Sequence, residues 1–404
     1  MMKHHKRSLN VLILLAGFVF ILSKCINPVE GKDPRGKAFA GAATCRQCHQ
    51  AIYDSFLGTA HYHATSVANA QNILGNFSPG INTFNYDSIT KLVMEKRDSG
   101  WFQVLYEMGQ EKKAYRFDIL FGRHHAQTSL YWQNDKLYEL PVSHYTGLNA
   151  WATSPGFSVN KPHFQRLVNS DCLDCHSSNL AIKSTNINSD ASYDPKSLLV
   201  GIDCERCHGP ALDHVNFHLQ NPNATTAAFL VKNSLLLPQQ KLDACAICHS
   251  GNDKMKIQSR FEFIMGDSLG YFFMPFGGST GGLDVHGNQY NLLMQSKCFN
   301  INTMTCGTCH DPHKDADQDT RFYSRKCMTC HEPDKADFCP KYARLGESIK
   351  SNCIDCHMPK RPSNAISFQM QQSSSSSAYL LRTHRIAIYS DSLDKLHKKM
   401  NLIN

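Results

Sequence analysis

The sequence has little that would carry it across a membrane and nothing that would hold a nucleic acid. Its N-terminal apolar run, Val11 to Leu22, is too short for a comfortable span, which takes about 20 residues. No basic stretch is interleaved with aromatics, so the formal charge of +8 does not mark a nucleic-acid surface. Nothing in the composition points to wholesale disorder, and 404 residues are enough for two or three ordinary domains. What stands out is the 17 cysteines and 21 histidines, because most of them sit in one repeated pattern.

That pattern is Cys-x-x-Cys-His. It occurs as "CRQCH" from Cys45, "CLDCH" from Cys172, "CERCH" from Cys204, "CAICH" from Cys245, "CGTCH" from Cys306, "CMTCH" from Cys327 and "CIDCH" from Cys353. A random chain of this composition would hold about 0.04 copies, so seven are not accidental. Cysteines at i and i+3 project from one helical turn and reach two points on one flat ligand. In c-type haem attachment the two thiols add to the vinyl groups and the next residue supplies an imidazole to iron. Structural zinc pairs Cys-x-x-Cys units and needs no histidine after each. A redox dithiol would be a single motif, and disulfide stapling would not demand histidine. The reading is therefore seven covalent haems c, held by Cys45, Cys48, Cys172, Cys175, Cys204, Cys207, Cys245, Cys248, Cys306, Cys309, Cys327, Cys330, Cys353 and Cys356.

The proximal iron ligands follow as His49, His176, His208, His249, His310, His331 and His357. Outside the motifs and the leader there are enough further histidines to give every iron a second imidazole. At this point the chain resembles the multihaem c-type cytochromes of the cytochrome c-554/c-552 type, over most of residues 41 to 390. In "CRQCHQAIYDSFLGTAHYHA" the resemblance implies His61 as a distal ligand lent to another haem, with His63 the runner-up. "CERCHGPALDH" points to His214, "CGTCHDPH" to His313, "LDVHGNQYN" to His286 and "LLRTHRIAIY" to His384. "NKPHFQRLVNSDCLDCH" adds His163. The seventh distal position stays open among His124, His125, His144 and His218, a methionine, water or nothing.

The leader "MMKHHKRSLNVLILLAGFVFILSKC" has a basic start and an apolar core, as a secretory signal does. "ILSKC" resembles a bacterial lipoprotein cleavage site, although Lys24 replaces the usual small residue. Lipidation of Cys25, ordinary cleavage and retention as an anchor all place the folded part outside the cytoplasm, in a periplasm or cell envelope, with the N-terminus as membrane tether. Loss of the leader removes four cations and no acid, and seven ferric bis-imidazole haems would take the mature charge to about −3.

Beyond a leader at 1–24 and a linker at 25–40, a first haem segment is expected at 41–79. A haem-free β-rich insert comes next at 80–165, where "WFQVLYEM", "KAYRFDILFG" and "TSLYWQNDKLYEL" are broken by turn signals. His144, Tyr145 and Trp151 either touch a haem there or fill the insert's core. A six-haem core is expected at 166–365, then a Ser-rich spacer and a segment returning a distal histidine at 366–404. Motifs in 166–365 come too close together for independent apolar cores, so the expected fold is mainly α with much irregular loop, short helices wrapping haems, and one small antiparallel β unit. Cys298 and Cys339, outside the motifs, are free to form a disulfide.

Two imidazoles saturate an iron and leave a one-electron centre, so electron transfer through an array of haems is the expected function. Its partners would be a quinol-oxidising complex or other cytochromes. The alternative is an oxidoreductase acting on a small nitrogen or sulfur compound at one open haem. The resemblance speaks against nitrite reduction, because no motif is Cys-x-x-Cys-Lys.

Overall fold

The computed structural model describes residues 32–389, apart from 187–188, 252, 275–281, 301–302, 336–337, 372 and 374. Cys25 and the leader lie outside the described residues, as does everything from 390 onward. Among the described residues no helix is long and apolar enough to cross a membrane.

The expected β insert is a two-sheet sandwich. Strands β1 (Thr65–Val67), β6 (Ile119–Phe121), β7 (Ala126–Gln133), β8 (Lys136–Tyr145), β9 (Ala150–Thr153) and β10 (Arg166–Leu167) make one antiparallel sheet. Strands β2 (Thr83–Asn85), β3 (Thr90–Arg97), β4 (Gly100–Glu107) and β5 (Gln110–Arg116) make the other. Two-residue turns set the registers. Asn134 and Asp135 (φ 51° and 60°) close β7 on β8, and Met108 and Gly109 (φ 49° and 76°) close β4 on β5. Positive φ at both central residues is the hairpin turn that matches strand twist.

Alternating inward residues of both sheets share one core. Phe84, Leu92, Met94 and Leu105 meet Phe117, Leu120, Tyr131, Leu140, Val142, Trp151 and Phe164. Fully buried Gln103 bridges the sheets by donating from Nε2 to the Val142 carbonyl at 2.6 Å. His144, Tyr145 and Trp151 are all buried here, with the His144 ring 5.3 Å from Trp151, so they fill core.

The sandwich is also a platform for the motif-bearing segments. The outer face of the larger sheet packs Ile119, Leu130 and Leu137 against Leu173 of the second motif, with Tyr193 and Leu180. Tyr145 and Ala152 pack on Phe368 of the C-terminal hairpin.

The haem-bearing part is not the mainly α body expected. Of the described residues 28% are helical and 25% are in strands, as in an α+β protein. Ribbons β11–β14 (Ser177–Asn179 with Leu199–Val200), β12–β13 (Ile182–Asn186 with Ser189–Tyr193) and β15–β16 (Lys360–Phe368 with Ser377–Arg382) account for part of the difference. The reason is local. A motif helix stops at its histidine, as α2 (Ser170–His176) does before β11, and the connecting backbone must pair its polar groups elsewhere. The serine run expected as a spacer is the connection of the β15–β16 hairpin.

The helices there are mostly short: α3 (Cys204–His208), α4 (Leu212–Gln220), α5 (Pro238–His249), α6 (Gln289–Met294), α7 (Lys297–Asn300), α8 (Thr320–Met328), α9 (Tyr342–Leu345) and α10 (Ile354–His357). The first helix, α1 (Ala42–Phe56), spans 15 residues without burying one of them. Such a helix has no apolar face covered by protein, and packing is what normally holds a helix together.

Candidate functional site

The motif histidines face other histidines across gaps of one size. His49 and His214 have ring centroids 6.4 Å apart, His249 and His61 6.1 Å, His208 and His313 6.0 Å, and His310 and His384 6.2 Å. Two metal–imidazole bonds of about 2 Å each, plus the half-widths of the rings, separate centroids by roughly 6 Å. The gaps therefore fit one iron each. The uncovered helix α1 and the exposed Ile52, Phe229, Leu235, Leu237 and Tyr271 fit the flat apolar body of a porphyrin.

Protonation states agree with this chemistry. Burial, with His249 and His310 close by, depresses His61 to about 4. Burial, then the same two rings, depresses His384 to about 4. Both are neutral imidazoles, as iron requires. His176 is also depressed, by burial first and then by His286 and His249, and its ring stacks on Phe121 at 4.9 Å. Backbone carbonyls orient several rings: Nδ1 of His176 meets Ala64 O (3.3 Å), His214 meets Ala228 O (2.8 Å) and His357 meets Ala387 O (3.0 Å). A ring whose Nδ1–H is held in this way presents Nε2 to a metal.

Thiols of different motifs also lie near one another: Cys45 and Cys204, Cys175 and Cys248, Cys245 and Cys306, and Cys327 and Cys353 each perturb the other's ionisation. Cys207 lies close enough to Cys248 and Cys245 to bear on their ionisation, and Cys309 on that of Cys327.

Charged residues inside and around the motifs hold them near one another. Arg35 clamps Asp203 with two nitrogens (3.0 and 2.8 Å) and reaches Glu205 at 3.2 Å. Glu205 accepts from the backbone N–H of Ala40, Gly41 and Ala211, each at 2.9 Å. Burial raises the Glu205 pKa, and those bonds and Arg35 oppose the rise. The clamp holds the start of α1 against α3, and so Cys45 against Cys204. Buried Asp174, within the second motif, pairs with Lys256 at 2.8 Å, and Arg260 donates to Cys175 Sγ at 3.2 Å. In the last pair of motifs, fully buried Ser324 accepts from Cys353 N–H at 2.9 Å. Sequence reading passed over these residues as spacers. The signal was there in a carboxylate between the cysteines of "CLDCH" and "CERCH".

Not every expected ligand is brought to a motif histidine. His163 lies beside Phe157, with ring centroids 6.4 Å apart. His286 sits in a loop fixed by Asp284, which accepts from Ser363 Oγ (2.9 Å) and from the N–H groups of Asn364 and Ala365. The histidines left open as a seventh partner have other neighbours. His124 meets Asp315 at 3.6 Å, His125 meets Tyr379 at 3.3 Å, and the His218 ring lies 4.6 Å from His214. Cys298 and Cys339 do not form the expected bridge. Each lies beside a different motif, Cys298 near Cys330 and Cys309, Cys339 near Cys356.

The family model described as cytochrome c554 and c-prime matches residues 141–209. No curated protein matches the chain in sequence. Among solved structures, "Crystal Structure of Outer Cell Wall Cytochrome OcwA" is similar at 15% identity and a TM-score of 0.51, covering 89% of this chain and 82% of that one. That likeness is one of fold. Over residues 141–209 the chain is thus similar to cytochromes c554 and c-prime, and its fold is similar to that of a cytochrome; the paired imidazoles and the Cys-x-x-Cys-His motifs agree with both likenesses.

Proposed function

We propose that the chain is an exported heptahaem relay, passing electrons along seven haems that stand close enough to form one array. The carrying observation is the set of facing histidine pairs, 49 with 214, 61 with 249, 208 with 313 and 310 with 384, each at about the spacing that one iron needs. Nearness of motif thiols supports it, linking the motifs that begin at 45 and 204, 172 and 245, 245 and 306, and 327 and 353, with Cys207 and Cys309 close to the remaining neighbours. Each haem supplies a centre that takes and gives one electron.

The residues do the rest. Facing histidines would hold the iron from both sides, which would leave a substrate no place to bind there. Buried Glu205, Asp174 and their cationic partners fix one motif against the next. Donor and acceptor are proposed as redox proteins: a quinol-oxidising complex or a cytochrome on one side, another cytochrome on the other. An extracytoplasmic location, with a lipid or peptide tether at the N-terminus, is supported by the leader. The structural neighbour, itself an outer cell wall cytochrome, supports it too.

The test is electron paramagnetic resonance of the ferric protein with and without nitrite, hydroxylamine or cyanide, beside a mass measurement of haem content. Seven haems with low-spin signals indifferent to added ligand are expected. A high-spin signal that shifts on ligand addition would make that iron a catalytic site and overturn the relay reading.

A further inference from the structure

Loop 284–288 leads into α6, whose first residue meets a motif histidine. His286 bears on the ring of His176, and three residues on, half-buried Gln289 accepts from His249 Nδ1 through Oε1 at 3.1 Å. Most of the orienting bonds to ring Nδ1 atoms end on backbone carbonyls, and His313 leans on Asp311, two residues before it, at 3.3 Å. Among the bonds to motif histidines, Gln289 differs in being a side chain delivered by another element. Its place is secured by packing: Tyr290 joins Leu242 and Ala246 of α5 in a buried cluster, and Asn291 Nδ2 donates to Ser250 O at 2.8 Å.

His249 is also the ring at the centre of the neighbouring thiols. Its motif lies near Cys175 through Cys248 and near Cys306 through Cys245, and Cys207 lies near both. An Nδ1–H that donates to a fixed acceptor makes an imidazole a stronger donor to its metal and favours the oxidised, more positive iron.

We propose that Gln289 is a positioning residue for the central haem, fixing the His249 tautomer and holding that haem at a lower potential than its ligands alone would give. This rests on the relay reading, in that it takes His249 and His61 as the two axial ligands. The consequence is a central centre that is reluctant to keep an electron, so that electrons rest on its neighbours and cross it quickly.

One feature sets that haem apart among the four facing pairs. The planes of His249 and His61 are 76° apart, whereas the other facing pairs differ by 15° to 33°. Crossed imidazole planes leave the iron d orbitals near-degenerate and give a single large-g signal, unlike the three-line signals of parallel pairs.

The experiment is a potentiometric titration of the holoprotein followed by that signal, in wild type, Gln289→Leu and Gln289→Glu. The midpoint of the large-g component is expected to move positive in the leucine variant and negative in the glutamate variant, with the other components in place. If Gln289→Leu loses a haem, the glutamate variant alone decides by its negative shift. An unmoved large-g midpoint in variants that keep their haems overturns the proposal. Failure of the relay reading is read separately, from wild-type haem content and the response to cyanide.

Discussion

The sandwich of residues 65–167 and the motif-bearing segments after it solve the problem of a core in opposite ways. The sandwich covers Leu92, Leu140 and Val142 completely with its own side chains, and its polar bridges are few and sealed. Beyond it the buried apolar clusters shrink to three or four residues, such as Leu242, Ala246 and Tyr290. There, buried ions such as Arg35–Asp203 and Asp174–Lys256 fix the backbone, and the apolar bulk must come from porphyrin. A chain can thus delegate its core to a prosthetic group, but it then needs rigid polar clamps to place that group.

The sharpest way to break this comparison is to produce the chain without haem attachment. Limited proteolysis should then cut throughout residues 204–360, while strands between Thr83 and Thr153 stay protected. Uniform protection would mean that the second half has a protein core of its own.

Next in size are two truncations that should read out in different places. Arg35→Ala leaves Asp203 and Glu205 buried without their cation and should cost about 3–5 kcal/mol, seen as loss of the spectrum of the haems at Cys45 and Cys204. Leu140→Ala should cost about 2–5 kcal/mol through a cavity in the sandwich, seen in β-sheet circular dichroism with the haem spectrum intact.

A smaller effect separates the two regions by pH. Burial raises the Glu139 carboxyl to about 7 against the opposing charge of Arg166, 3.2 Å away. The folded state therefore holds a proton that the unfolded state has already lost. The stability this contributes is full below about pH 4.5 and fades as the pH rises toward 7. Glu139→Gln should abolish that slope in denaturation midpoints taken between pH 5 and 8. The smallest effect is expected of His163→Ala, which should leave the haem spectrum unchanged and stability within about 0.5 kcal/mol.

What the sequence revealed divides along the same line. Cys-x-x-Cys-His names its chemistry in five adjacent residues, and the hairpins announce themselves through "QND" and alternating aromatics. The distal histidines depend on contacts across as much as half the chain. His214 and His384 are expected only because their local segments resemble relatives; the structure sets both rings opposite motif histidines, whereas it sets His163 beside Phe157. The ribbons at 177–200 and 360–382 were missed for a related reason. "IKSTN" and "SAYLLR" are weak strands alone and pair because the adjoining motif helices end abruptly. Cys298 and Cys339 were matched by elimination, which says nothing of distance.

The facing histidines also overlap along the chain. The pair 49–214 encloses residue 61, the pair 61–249 encloses 208, and the pair 208–313 encloses 310, which reaches 384. With a metal in each gap these are interlocked hoops rather than separate loops, each begun before the last is shut. No hoop can be drawn out alone, and during synthesis the earliest motif waits for residues made long after it. The finished molecule is therefore laced from near its beginning to near its end, and it should come apart slowly even where its net stability is modest.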